Sequence, residues 1–249
     1  MQDIQVFFSK LSSLLWGWPM IILLLGTHVF LTIRLKFPQR KIFKGIALSV
    51  KSDGDSEGDV SQFGALATAL AATIGTGNII GVATAVSLGG PGAVLWCWLS
   101  GVFGIATKYA EGLLAVKYRV TTSDGTMMGG PMYALERGLG AKWLAVLFCI
   151  FTVLAALGIG CSVQSNSIST MLYESFNVPI YVSGAITALL VALVIFFGIK
   201  GIANVCGFLV PFMAFFYVAG CIVILAMNAS FLGSALSLIF KSAFTPQAI

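Results

Sequence analysis

Four consecutive residues, Gly75-Thr76-Gly77-Asn78, hold most of the chemistry this sequence offers. They lie near the middle of an uncharged stretch from Ser61 to Leu88 that, if fully helical, would extend roughly 42 Å and overshoot the ~30 Å hydrocarbon core of a bilayer. Two glycines among polar residues weaken a helix there, and inside a membrane the loosened backbone must be buried in protein or line a cavity. The expectation is a broken helix. Such a break frees N–H groups at the start of its second half and carbonyls at the end of its first. The N–H groups of Thr76, Gly77 and Asn78 would suit a carboxylate, and the carbonyls between Ala71 and Ile74 would suit Na⁺ or an ammonium group. A second reading stays open on spacing alone: Gly77 and Gly81 as a GxxxG packing face, with Thr76 and Asn78 bonding across helices.

Other reactive residues are few. His28 is the single histidine and sits in the first apolar segment, where packing or a hydrogen bond to a neighbour is the expected role. Lys108 and Glu111 are three apart in an apolar segment and share a helix face, so they are read as a structural ion pair, with ion coupling or gating as the alternative. With no nucleophile beside a base, no metal cluster and no carboxylate pair in the spans, an enzyme is not expected. The five cysteines all lie in apolar segments without CxxC or Cys/His spacing, which removes disulfide and zinc readings. Asp53, Asp55, Glu57 and Gly58 imitate the start of an EF-hand loop, but the twelfth position is Gly64 instead of glutamate, so a solvated acidic turn is expected. Ser61 follows as the expected cap of the broken helix.

The elements that would position these residues follow from composition. Hydrophobic residues make up 58% of the chain and charged residues 9%, with mean hydropathy +0.99. This is an all-α polytopic membrane protein by composition. About six spans are expected: Leu14 to Ile33, the broken Ser61 to Leu88, Ala93 to Val116, Trp143 to about Val163, Val178 to Ile199, and Ile202 to Met227 with a kink at Pro211. A polar connection from Lys117 to Lys142 contains a short interfacial helix begun by Pro131 and stopped by Gly138. The piece after Met227, FLGSALSLIFKSAF, is amphipathic and too short to be a convincing span.

The net charge of +5 does not point to nucleic acid, because the basic residues fall between apolar segments and not along one face. Arg34, Lys36, Arg40, Lys41, Lys44 and Lys51 follow the first span, Lys117, Arg119, Arg137 and Lys142 the third, and Lys200 the fifth. Lys10 and Lys241 fall on the opposite side. By the positive-inside rule the N-terminus lies outside and Ser61 at the cytoplasmic face. Positive charge after the first apolar run also argues against a cleaved signal peptide.

The run ALATALAATIGTGNIIGVATAVSLGGPGAVLWCWLSGVFGIATKYAE, extended by GGPMYALERGLG and SVQSNSI, closely resembles the alanine/glycine:cation symporter family, the sodium:alanine symporters. Leu95 and Cys97 stand where phenylalanine and methionine are usual, both apolar exchanges. The resemblance implies a LeuT-like fold of two inverted five-helix repeats preceded by one extra helix. Residues 1–60 would be that helix and its basic loop, 61–228 the first repeat, and 229–249 the start of a connection to a second repeat. It further implies a multi-pass protein of the cell (inner) membrane that imports a small neutral amino acid, alanine or glycine, with sodium as coupling ion and no other cofactor. Substrate contacts would fall at Gly75, Thr76, Gly77, Asn78 and Gln164, and sodium at the backbone carbonyls of Ala71 and Ile74. A different reading of Gln164 is a helix-end polar residue at the outer interface. Because no second glycine-broken span occurs, a truncated, non-transporting membrane scaffold is the alternative function.

Overall fold

In a computed structural model of the chain, residues 2–51 and 58–245 are described. Helix α1 (Gln2–Leu15) leads into α2 (Trp18–Arg34), then a 3-10 turn (Pro38–Lys41) and α3 (Ile42–Val50). The second apolar stretch is divided into α4 (Gln62–Thr73) and α5 (Thr76–Gly89), and α6 (Ala93–Lys117) follows a glycine-rich turn. A small hairpin, β1 (Val120–Thr121) with β2 (Met127–Met128), precedes α7 (Pro131–Tyr133), which runs on as a π-helical turn to Gly138. Then come α8 (Lys142–Ala155), a π-helical segment (Ala156–Ser162), α9 (Val163–Phe176), α10 (Ile180–Phe196), α11 (Gly198–Met227) and α12 (Ala229–Ser242).

Five helical stretches among the described residues are long and apolar enough to cross a membrane: Gln5–Arg34, Gln62–Gly89, Ala93–Lys117, Lys142–Phe176 and Gly198–Met227. Five such helices, by length and composition, fit a multi-pass, all-α membrane protein. The expected fifth span is shorter than read from the sequence. Helix α10 has 17 residues, roughly 26 Å at 1.5 Å per residue, and ends before Gly198, whose φ of +66° turns the chain into α11.

The fourth span differs in the other direction. Helix α9 continues through Gln164-Ser165-Asn166-Ser167 to Phe176, and the last hydroxyl of the tract returns to its own helix: Ser167 Oγ donates to the Val163 carbonyl at 2.9 Å. Asn177 stops it, with φ of +54°. The interfacial helix begins at Pro131 and closes at Gly138 as expected, but the hairpin before it was not anticipated. The amphipathic piece after Met227 folds as α12. Of the imitation calcium loop, Asp53, Asp55 and Glu57 lie outside the described residues.

Small side chains form the contacts between helices, as expected where lipid is the competing environment. Gly64 and Ala67 of α4 are buried against α11, where Ala203 and Val210 are buried in turn. Pro211 lies inside α11, and its missing N–H leaves the Gly207 carbonyl without a helical partner. Helix α2 packs on α6, where Ala106 is fully buried and His28 Nδ1 lies 2.7 Å from Thr107 Oγ1. The histidine thus has the neighbour bond expected of it. Lys108 Nζ and Glu111 Oε2 form the expected pair at 3.0 Å, with side chains 79% and 46% exposed, so solvent or headgroup screening leaves it worth little to stability.

The connections after the first and third long helices meet at one end of the molecule. Asp59 Oδ2 accepts a hydrogen bond from the Met127 amide at 3.0 Å, and Asp59, Arg119, Met127 and Ile199 line one cleft. The opposite end is held by α12. Trp96 Nε1 donates to the Ala243 carbonyl at 2.7 Å, and a Cβ placed on Gly92 would sit 2.4 Å from the Ser242 backbone. Only glycine fits that approach.

Candidate functional site at the broken second span

The break falls where the glycines place it. Helix α4 opens at Ser61, whose Oγ accepts the Gly64 amide at 3.1 Å, a side-chain cap worth about 1 kcal/mol. It ends at Ile74, whose N–H reaches the Leu70 carbonyl at 2.8 Å. Gly75 is extended, with φ −152° and ψ −165°, and helical geometry resumes at Thr76.

At the start of α5 the Gly75 carbonyl accepts from the amides of Asn78 (3.1 Å) and Ile79 (3.2 Å). This revises the expected donor set. The Asn78 N–H is committed to the helix, so the amides of Gly75, Thr76 and Gly77 are the ones directed out of the helix start. The Asn78 side chain bridges the break instead: Nδ2 donates to the Thr73 carbonyl at 2.7 Å. One carbonyl of the terminal turn of α4 is thereby occupied. Among the described residues no backbone N–H reaches the carbonyls of Ala71 or Ile74.

Gln164 comes to the same place from α9. A Cβ built on Gly75 would lie 3.5 Å from Gln164 Nε2 and 3.8 Å from Oε1, so the carboxamide sits against the break in ordinary contact. Gln164 lies inside the helical stretch Lys142–Phe176 and not at a helix end. Just before it, the π-helical segment Ala156–Ser162 is fixed by Ser162 Oγ donating to the Leu157 carbonyl at 2.8 Å, a local rewinding of the kind found at functional sites.

The structure thus brings Gly75, Thr76, Asn78 and Gln164 together, with the end of α4 and its Ala71 and Ile74 carbonyls beside them. Gly77 lies on the open side: no atom comes within 4 Å of a Cβ built there, and Gly81 has only the Thr76 carbonyl at 4.0 Å. Among the described residues no helix packs on a Gly77/Gly81 face, which removes the packing reading within this chain. Gly75 and Thr76 are half-buried, while Gly77, Asn78 and Gln164 are exposed. Sequence reasoning missed the Asn78–Thr73 bridge and the π-helical segment. The first had a readable signal in an amide side chain placed within reach of a terminal carbonyl; the second had none.

A concentration of N–H groups beside free carbonyls suits a ligand with a carboxylate and a cation nearby, and relatives bear on what that ligand is. Residues 1–249 match the sodium:alanine symporter family. An uncharacterized transporter of Haemophilus influenzae is 51% identical over 247 residues, covering 98% of this chain and 54% of that protein. The sodium/alanine symporter AgcS of Methanococcus maripaludis is 49% identical over 249 residues, covering 97% and 55%. A probable sodium/glutamine symporter, GlnT of Bacillus subtilis, is 34% identical over 235 residues, covering 94% and 49%. The chain spans about half the length of these curated relatives. With the whole chain matched and identities this high, it belongs to the sodium:alanine symporter family.

Proposed function

We propose that this chain carries the first repeat of a secondary active symporter that moves a small neutral amino acid, alanine or glycine, with Na⁺ by alternating access around the break between α4 and α5. The observation that carries the reading is the break itself: amides at Gly75, Thr76 and Gly77 and carbonyls at Ala71 and Ile74 that have no backbone partner among the described residues, and the Gln164 carboxamide facing Gly75.

In this reading the substrate carboxylate accepts from the amides of Gly75 to Gly77, with Gln164 as a further polar contact. Asn78 keeps the two half-helices in register and faces the same site. Na⁺ is held by the carbonyls of Ala71 and Ile74, with further oxygens from a second repeat in a LeuT-like arrangement. Residues 61–228 form the five-helix first repeat, residues 1–60 the preceding helix and basic loop, and residues 229–249 the start of the connection onward. The basic end faces the cytoplasm, which puts the N-terminus outside the inner membrane. Na⁺ binding stabilises the substrate-competent outward state, and rocking of one helix group against another releases both inside.

Uptake of labelled alanine and glycine into proteoliposomes of the full-length protein, with and without an inward sodium gradient, tests this. Accumulation above equilibrium is expected only with the gradient. Uptake indifferent to sodium overturns the coupling, and no uptake of either amino acid overturns the substrate class.

A further inference from the structure

A groove of about 610 Å³ lies between α6, the π-helical turn after α7, and α8, and nothing in the transport reading uses it. Its walls are apolar: Leu114 on α6, Leu135 and Leu139 on the turn, and Phe148 on α8. Along α6 it runs from Thr107 to Tyr118, roughly 16 Å at 1.5 Å per residue. That is close to half of the ~30 Å hydrocarbon core, the depth of one leaflet. A spanning helix is too long for such a slot, whereas a single acyl chain matches it.

Charge distinguishes the two ends. Within the groove the one carboxylate, Glu111, is paired with Lys108. At the mouth, Lys117 Nζ stands 5.4 Å from the centroid of the Tyr118 ring, which itself lines the groove. Arg137 precedes Gly138 of the lining, Lys142 begins α8, and all three cations are exposed, with Glu136 the acidic residue on the same turn. A tyrosine at one end of the groove, an apolar channel running along α6 from it and an excess of cations near it form a pattern suited to a negatively charged lipid.

We propose that this groove is a binding site for an anionic phospholipid of the leaflet on the basic side. One acyl chain lies along α6 over Leu114 and Leu135, and the headgroup phosphate sits among Lys117, Arg137 and Lys142. Occupancy ties the interfacial turn to α6 and α8.

Native mass spectrometry of the purified full-length protein in detergent, titrated with phosphatidylglycerol or phosphatidylcholine, reads the site without requiring transport. A failure of the symport reading therefore leaves this result interpretable. Phosphatidylglycerol is expected to bind at least tenfold more tightly than phosphatidylcholine. Lys117→Gln with Arg137→Gln, both at exposed positions, should abolish that preference, and Ala134→Trp should reduce retention of both lipids by filling the channel. Equal binding of the two lipids by the unaltered protein, or a preference that survives the charge substitutions, overturns the proposal. So does Leu135→Cys, in a background with the native cysteines replaced by serine, if its thiol stays shielded from a thiol reagent in lipid-free detergent, since the groove would then be covered by protein. If Ala134→Trp does not fold, the charge variant decides.

Discussion

Helices α4 and α5 come from one apolar stretch and differ in nearly everything that fixes a helix. Helix α4 is capped by Ser61, buries Gly64 and Ala67, and lies along α11, with Phe63 Cε1 4.0 Å from a Cβ built on Gly207. Helix α5 has no side-chain cap, no buried residue, and open space at Gly77. It touches the rest of the chain mainly through its turn into α6 and through α9 near Gln164. One half is anchored to the scaffold while the other is held at its ends. The difference teaches that the two halves of one broken helix can be held very differently: packing along its length fixes α4, whereas α5, among the described residues, is the half freer to move.

Glycine substitutions test that contrast most sharply. A Cβ at Gly64 would meet Val60 Cγ1 at 2.8 Å and Ser61 Oγ at 3.1 Å, so Gly64→Leu should destabilise the protein by about 1–3 kcal/mol or more through overpacking. Gly77→Val, in open space, should leave thermal unfolding of the detergent-purified protein nearly unchanged while removing most sodium-driven uptake. Equal melting losses at the two positions would erase the distinction between the halves.

Next in size is the bridge between them. Asn78→Ala removes the 2.7 Å bond to Thr73, a loss of about 1 kcal/mol in stability. Uptake should fall at least tenfold, well beyond what that stability loss accounts for. Transport at the ordinary rate in this variant would show that register across the break is kept by other means.

Smaller still is the cap. Ser61→Ala should lower stability by about 1 kcal/mol and leave the apparent affinity for alanine where it was, because the fixed half carries the change. A shift in affinity would mean that the start of α4 is coupled to the break.

The smallest effect lies outside the membrane. Asp124 accepts hydrogen bonds from the Thr122 and Thr126 hydroxyls, and these hold its carboxyl below the ordinary value of 3.8. A depressed folded-state value contributes stability above the unfolded one, and that contribution is lost as pH falls through the folded value. Unfolding midpoints should therefore show no Asp124-dependent change between about pH 5 and 8, with the difference from Asp124→Asn shrinking only below about pH 4.

How much was legible in the sequence varied with the physics behind each element. Excess length and the Gly-Thr-Gly-Asn run located the break within a residue, because glycine and unpaired backbone in lipid leave few alternatives. Ser61 and Pro131 announced helix starts through capping chemistry. The polar tract at Gln164 misled, since hydropathy reads Ser and Asn as the end of a span while the Ser167 hydroxyl bonds back to its own helix; Asn177 before Val178-Pro179 was the better stop signal. The hairpin was hidden by its two-residue strands, although Gly125, at φ +83°, marks its turn. The approach of Gln164 to Gly75 is a tertiary contact between residues 89 positions apart, and periodicity does not encode it.

The docking of α12 on the Gly92 turn also has an optical consequence. Trp16, Trp18, Trp98 and Trp143 are 48% to 71% exposed, whereas Trp96 is half-buried, bonded to the Ala243 carbonyl and set edge-on to Phe244 at 6.2 Å. A water-soluble or lipid-borne quencher should reach the other four indoles first. What remains of the emission then reports whether α12 is docked on the Gly92 turn, so the protein carries its own fluorescent gauge of that contact.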